Sequence, residues 1–278
     1  MRDLSKLVGM TVKFDPEHLH IAFGPEVRDP LYGTRSAEQM RQVLLDEDCA
    51  LPELVYWMFR DTGLKALPDF KQQADLRYDI SVFRGCHFGR EFMKTSGHYH
   101  PSIPGGEIAW PEVYEVLEGK ALYLLQKVND INLDSDQVTV EDVIIVEGHP
   151  GDKVIMPPNY GHVTINTEPA PLIMSNWVSS KFSSVYQKVE AARGFAYYYL
   201  HGDGQPRWVR NESYRTFPPL RKAVVHEVPA LGLRKDTPLY ASCAEDSDKF
   251  LFLNDPAAFM KLIWSGLEIV GEVEVAEE

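Results

Sequence analysis

The 278-residue sequence predicts a mainly β protein built on one antiparallel barrel, closed or sandwich-like, with helical extensions at both ends. Between about residues 77 and 177, the β-rich runs YDISVF, VYEVL, ALYLLQ, DVIIV, KVIMP, VTIN and PLIMSNWV are separated by Gly, Pro, Asn and Asp. That is the texture of short strands joined by turns. No helical periodicity falls between the runs, which favours antiparallel pairing, because parallel strands need long crossovers. No unit of 20 to 50 residues recurs, so stacked-repeat architectures are excluded.

The elements follow in order. Ser36 stands three residues before Gln39, the spacing of a capping box, and Met40, Val43 and Leu44 come next at helical intervals, predicting one helix over about 36–47. After the β-rich runs, Ser183 or Ser184 opens a helical stretch carrying Val185, Lys188, Val189 and Ala192, stopped by Gly194 and followed by a return strand, FAYYYL. Asp255, Pro256 and Gly266 mark the cap, first turn and stop of a C-terminal helix carrying Phe259, Ile263 and Trp264. The acidic tail VGEVEVAEE is expected to fray. The division expected is an N-terminal extension over 1–75 with one helix packed on the barrel, the barrel over 76–202, and a C-terminal extension of unknown role over 203–278.

Composition narrows the class. Apolar residues make up 44% and charged residues 25%, enough to bury a core. Twenty-eight basic against 41 acidic side chains give −13, which repels phosphate backbones and anionic membranes, so neither nucleic acid nor a membrane is expected as a partner. The first twenty residues hold no apolar run of secretory-leader length, and Cys49, Cys86 and Cys243 are odd in number and far apart. Free thiols in a reducing compartment, the cytoplasm, are the expectation.

Chemistry concentrates in four residues. His98 and His100 lie two apart in T-S-G-H-Y-H-P; on a strand, such residues face the same side, so both imidazoles point one way and Tyr99 the other. Glu112 and His162 stand beside strand edges in P-E-V-Y-E-V-L-E-G and P-P-N-Y-G-H-V-T-I-N. Three imidazoles with one carboxylate suit one first-row divalent ion, Fe²⁺, Mn²⁺, Ni²⁺ or Zn²⁺, and leave coordination positions open for substrate. A His-x-His pair alone is weak evidence: His18-Leu19-His20 is another, read as a surface strand edge with no matching partners. The spaced Gly119, Gly151, Pro157 and Asn166 around Glu112 and His162 distinguish the first pair.

These strings resemble the two motifs of the cupin superfamily, whose fold is a small antiparallel β-barrel, or double-stranded β-helix, around a metal. Within it the chain is similar to cupin-type glucose-6-phosphate isomerases, in Gly97 to His100, Glu112 to Tyr114 and Pro157 to Asn166, with likeness over about 25–200. The resemblance implies a metal-dependent aldose–ketose isomerase interconverting glucose 6-phosphate and fructose 6-phosphate. It implies His98, His100, Glu112 and His162 as metal ligands, Glu112 as base with Tyr114 on the same strand face, and Ser81, Thr95, Gly97 and Tyr186 at the sugar phosphate. Arg84, Arg90 or Lys94 is expected to add charge there. Such barrels usually pair, so a homodimer is expected.

The sequence also departs from that pattern. Eleven residues separate His100 from Glu112 where three or four are usual, and Glu107 has the usual spacing instead. Glu112 is preferred for its motif context, and Glu115 and Glu118 are read as solvent-facing or turn residues. Asn159 stands where Gly is common, Ser96 where a lysine is usual, Trp177 where a tyrosine is expected, and SSKFSSVY lacks a histidine. The alternatives carried forward are a metal-dependent oxygenase of the same fold and a non-enzymatic protein that binds sugar phosphates.

Overall fold

The computed structural model describes residues 1–132, 137–202 and 205–277. Its strands are β1 (Arg2–Asp3), β2 (Val12–Asp15), β3 (His20–Phe23), β4 (Leu31–Ser36), β5 (Leu54–Arg60), β6 (Leu76–Phe83), β7 (His87–Phe88), β8 (Glu91–Lys94), β9 (Glu112–Glu118) and β10 (Ala121–Val128). They continue with β11 (Val140–Gly148), β12 (Lys153–Met156), β13 (Tyr160–Asn166), β14 (Leu172–Ser179), β15 (Tyr197–Leu200), β16 (Arg207–Arg210), β17 (Leu220–Val225), β18 (Leu267–Val273) and β19 (Val275–Ala276). Every β-rich run between 77 and 177 is a strand, and FAYYYL supplies β15.

Two sheets form a nearly closed barrel of the cupin type. One, of six strands, runs β12-β9-β14-β6-β5-β4; the other, of ten, runs β18-β17-β11-β10-β13-β8-β15-β16-β19, with β7 against β8. Val116, Met156, Met174 and Phe83 from the first meet Tyr123, Leu125, Val143 and Ile165 from the second in the core between them. The opposite face of the six-stranded sheet is buried too. Trp57, Phe59, Tyr78, Ile80, Ile173 and Trp177 pack there against Phe14 and Ile21 from the N-terminal hairpin and Tyr240, Phe250 and Phe252 from the C-terminal region. Burial on both faces gives β14 its unbroken run of buried residues, Leu172–Ser179, where a half-solvated strand would alternate. The terminal segments are thus the outer layer of a three-layer packing, with the six-stranded sheet in the middle.

Several elements differ from expectation. The expected 36–47 helix is a 3₁₀ stretch, Glu38–Val43, because Leu44 takes an extended backbone. Its capping box does form: Gln39 N–H donates to Ser36 Oγ at 3.3 Å and Ser36 N–H to Gln39 Oε1 at 3.0 Å. The second helix shrinks to Gln187–Ala191, with Gly194 at φ +118 beyond it. The C-terminal helix splits into Pro256–Phe259 and Met260–Ser265, and Asp255 makes no side-chain cap bond. The tail is paired as far as Ala276, with Glu278 outside the described residues: β18 pairs along β17 and β19 along β16, since the exposed edges offer backbone donors and acceptors to it. β4 and β5, from within 1–75, pair onto β6, so the sheet runs beyond the segment expected to form the barrel. Residues 203–204, at the start of the expected C-terminal extension, lie outside the described residues.

Candidate metal centre

The chain brings His98, His100, Glu112 and His162 to one point, with one possible ligand atom from each lying within 4.8 Å of all the others. Backbone pairing sets this up. His98 and His162 face each other across an antiparallel bridge, with His98 N–H donating to His162 O at 3.2 Å and His162 N–H to His98 O at 3.0 Å. Gly161 permits the approach, because a Cβ there would meet the Tyr99 ring at 2.6 Å. Gly97 enters the bridge at φ +72, a conformation that glycine adopts without penalty. Glu112 begins β9, opposite Val178 of β14, and Tyr114 follows on the same face.

The donor atoms converge within hydrogen-bond reach of one another. His98 Nε2 lies 3.1 Å from His100 Nε2, and Glu112 Oε2 lies 3.5 Å from His100 Nε2 and 3.3 Å from His162 Nε2. His100 Nδ1 lies 2.8 Å from the Trp110 carbonyl, which accepts its proton and leaves the Nε2 lone pair facing the cluster. Asn176 Nδ2 donates to Glu112 Oε1 at 2.6 Å, so Oε2 is the oxygen turned towards the imidazoles. His162 Nδ1 is buried with no hydrogen-bond partner among the described residues. Tyr114 OH lies 3.3 Å from His162 Nε2.

Electrostatics keep the set ready for a cation. Burial, then the neighbouring His162 and His100, hold His98 well below the ordinary imidazole pKa. Burial lowers His100 to about 4 against the opposing pull of Glu112. Both rings are therefore neutral at pH 7 and offer lone pairs. Burial pushes Glu112 up, but hydrogen bonding and charge from His162, with His100 and Arg77, outweigh it, so its carboxyl is ionised. Burial and the Glu112 charge push the Tyr114 phenol well up, so it stays protonated. Neutral imidazoles around one anionic oxygen fit a divalent cation, and this group could hold one.

The cluster lies in a cavity of about 340 Å³ whose wall also carries Ser81, Thr95, Gly97, Tyr114 and Tyr186. Glu107 is exposed and away from the cluster. Trp177 turns to the outer face, stacked on Tyr240 at 5.8 Å, and donates from Nε1 to Leu239 O at 3.2 Å. Glu115, read as a solvent or turn residue, is buried: it faces away from the cavity beneath the C-terminal region and pairs with Lys153 Nζ at 2.9 Å. Glu118, at 22% side-chain exposure, pairs with Arg2 at the strand end. His18 and His20 do not share a strand face, since Leu19 between them has φ +51. Sequence reasoning missed Arg60, Arg77, Asp79, Asn176 and Phe182, all on the cavity wall. The alternation of β6 from Ser81 back to Asp79 and Arg77 was the available signal.

Comparison with known proteins follows the same outline. The family profile of glucose-6-phosphate isomerase matches residues 34–216. A protein of that name from Thermococcus litoralis is 28% identical over 149 residues, 51% of this chain and 70% of the relative. One from Thermococcus gammatolerans is 26% identical over 177 residues, 62% and 79% of the two chains. Among solved structures, an oxalate oxidase covers 41% of this chain and 46% of its own at 14% identity and a TM-score of 0.30, too partial an overlap to bear on function. The profile spans every residue of the cluster and the strands that carry it, and the chain belongs to the glucose-6-phosphate isomerase family.

Proposed function

We propose that the protein interconverts glucose 6-phosphate and fructose 6-phosphate, using one divalent ion per subunit, Fe, Mn, Ni or Zn, held by His98, His100, Glu112 and His162. The observation that carries this reading is the convergence of those four donors in a cavity within the family-matched segment. When bound, the ion would act as Lewis acid on the sugar oxygens at C1 and C2, where charge develops during transfer of hydrogen between the two carbons.

The side chains supply the rest. Glu112, held ionised, presents Oε2 while Asn176 anchors Oε1, which fixes the carboxylate for ligation and for taking a proton from the sugar. Tyr114, protonated and 3.3 Å from His162 Nε2, is placed to donate to a sugar oxygen that gains charge. Ser81, Thr95, Gly97 and Tyr186 form the wall proposed to receive the phosphate end. The domain division expected from the sequence stands as a proposal, modified by the pairing of β4 and β5 onto the barrel. A homodimer is the proposed assembly, supported by Leu31 and Tyr32, 60% and 57% exposed on edge strand β4. The free thiols of Cys49, Cys86 and Cys243 support a cytoplasmic setting, and no described helix is long and apolar enough to cross a membrane.

The deciding experiment strips the protein with EDTA, restores single metals and follows fructose 6-phosphate turnover in a dehydrogenase-coupled assay without oxygen. Activity should vanish on stripping and return with at least one metal. Full activity in the stripped protein, or none with any metal, refutes the reading.

A further inference from the structure

A sugar phosphate brings two negative charges into a chain that already carries −13, so the cavity needs positive charge at the phosphate end. None of the basic residues expected there, Arg84, Arg90 or Lys94, is among the residues lining the cavity: Arg84 donates to Leu54 O and lies over Trp57, and Lys94 is paired with Glu91. Arg77 lines the cavity but its Nε bonds both oxygens of Asp79, at 3.0 and 2.9 Å. Arg60 is different. It lines the same cavity from β5, and among the described residues no carboxylate lies within ion-pair distance of it. Among the described residues its side-chain hydrogen-bond partner is the weak acceptor Met58 Sδ, 2.9 Å from Nη2.

Register places this guanidinium. Met58 sits opposite Ser81 of β6 on one side and Gly33 of β4 on the other. By leaning along β5 towards Met58, Arg60 brings its fork over the Met58–Gly33 pair, one strand from Ser81 on the same cavity wall. Gly33 leaves the room for it: a Cβ there would meet Arg60 Nη1 at 3.2 Å. Across the cavity Tyr186 lies close enough for the Arg60 charge to oppose the rise that burial imposes on its phenol. A partly buried guanidinium with idle donors, in a cavity whose wall also carries the Ser81 and Tyr186 hydroxyls, is built for a tetrahedral oxyanion.

We propose that Arg60 binds the phosphate dianion of the substrate beside Ser81 and thereby makes the enzyme specific for phosphorylated over free sugars. This rests on the isomerase reading. The test compares the metal-loaded wild type with Arg60→Gln and Arg60→Lys, using calorimetric binding of unreactive sorbitol 6-phosphate alongside steady-state kinetics with fructose 6-phosphate. Arg60→Gln should weaken sorbitol 6-phosphate binding and raise KM by about 10- to 100-fold, as loss of charge-assisted bonds does, with kcat within about threefold. Its binding should also lose salt dependence. Arg60→Lys should recover part of the affinity, because it keeps the charge but not the fork. Unchanged binding in Arg60→Gln, or a fall in kcat at constant KM, overturns the proposal. Should Arg60→Gln fail to fold, Arg60→Lys decides: wild-type affinity and KM in that variant overturn it, and an increase in both Kd and KM supports it. If the wild type neither binds sorbitol 6-phosphate nor turns over fructose 6-phosphate, the isomerase reading itself has failed, a result separable from any difference between variants.

Discussion

Replacing Lys153 with methionine tests whether a buried ion pair fastens the C-terminal region to the barrel. Lys153 Nζ lies 2.9 Å from Glu115 Oε1, with the two side chains 3% and 4% exposed, and it also donates to Gly151 O and Lys235 O. Glu115 Oε2 in turn accepts from Leu239 N–H at 2.8 Å, at the start of a helix lying on the outer face of the six-stranded sheet. Methionine is unbranched like lysine and one atom shorter, and it leaves the carboxylate buried without its cation, a change that costs about 3–5 kcal/mol. For 278 residues, with an unfolding entropy of roughly 2.1 cal/mol/K per residue, that is a Tm loss of about 5–9 °C. The loss should depend on pH. Burial raises the Glu115 pKa above its ordinary 4.5, with Lys153 opposing the rise, and without Lys153 it climbs further. A carboxyl whose folded pKa is raised costs stability when ionised and recovers it on protonation. The Tm gap between Lys153→Met and wild type should therefore be widest at pH 8 and narrow as the pH falls towards 5. Calorimetric scans at several pH values read this directly. A loss under about 2 °C at pH 8, or a gap that does not change with pH, would refute the reasoning.

Further predictions concern the cluster. His98→Ala or His162→Ala should lose most bound metal and at least about 100-fold in turnover, as ligand removal does, checked by elemental analysis alongside the coupled assay; stoichiometric metal in either variant contradicts the ligand set. Glu112→Gln should lose turnover while keeping some metal, whereas exposed Glu107→Gln should be silent, and the reverse pattern would show that the carboxylate is misassigned. Asn176→Ala frees Glu112 Oε1 and should weaken metal affinity about 10- to 100-fold in chelator competition; affinity within threefold of wild type would show that the 2.6 Å bond does not position the carboxylate.

The sequence carried the barrel and the cluster because both rest on local pattern. Strands from Leu76 to Ser179 alternate or run apolar between turn residues, and His98-Tyr99-His100 encodes its own geometry on extended backbone. What it concealed depends on long-range pairing. LVYWMFR, now β5, holds β-branched and aromatic residues, but only its register with β6 shows that Arg60 enters the cavity. Glu115 reads as a surface acid until the C-terminal region covers it and Lys153 meets it from β12. Trp177 looked like a substitution in the site, yet one step of alternation separates it from cavity residues Asn176 and Val178 and sends its ring to the outer layer. Helix lengths were overstated because Met40, Val43 and Leu44 keep helical spacing in a segment whose backbone leaves the helix at Leu44.

Two departures in the motifs prove to be one structural feature. The residues between His100 and Glu112 form a small hairpin in which Ser102 bridges Ala109 and Ile103 N–H donates to Ile108 O at 2.9 Å. Glu107 sits near its exposed tip, which is why the usual spacing from His100 leads away from the cluster. The hairpin base is pinned by Asn159, whose Oδ1 accepts from Ala109 N–H at 2.6 Å while its backbone holds φ +70. Glycine could take that turn, but asparagine, one of the few residues to tolerate left-handed backbone, also supplies a side-chain acceptor. The pinned hairpin returns Trp110 behind His100, where its carbonyl accepts from His100 Nδ1 and its ring lies parallel to Phe182 at 5.7 Å. Phe182 in turn packs on His100, with ring centroids 4.4 Å apart. The longer first motif thus provides the acceptor that sets the His100 tautomer, and the Asn159 substitution in the second holds that acceptor in place. Both alterations preserve the four-donor cluster because together they fix the ring between His98 and Glu112.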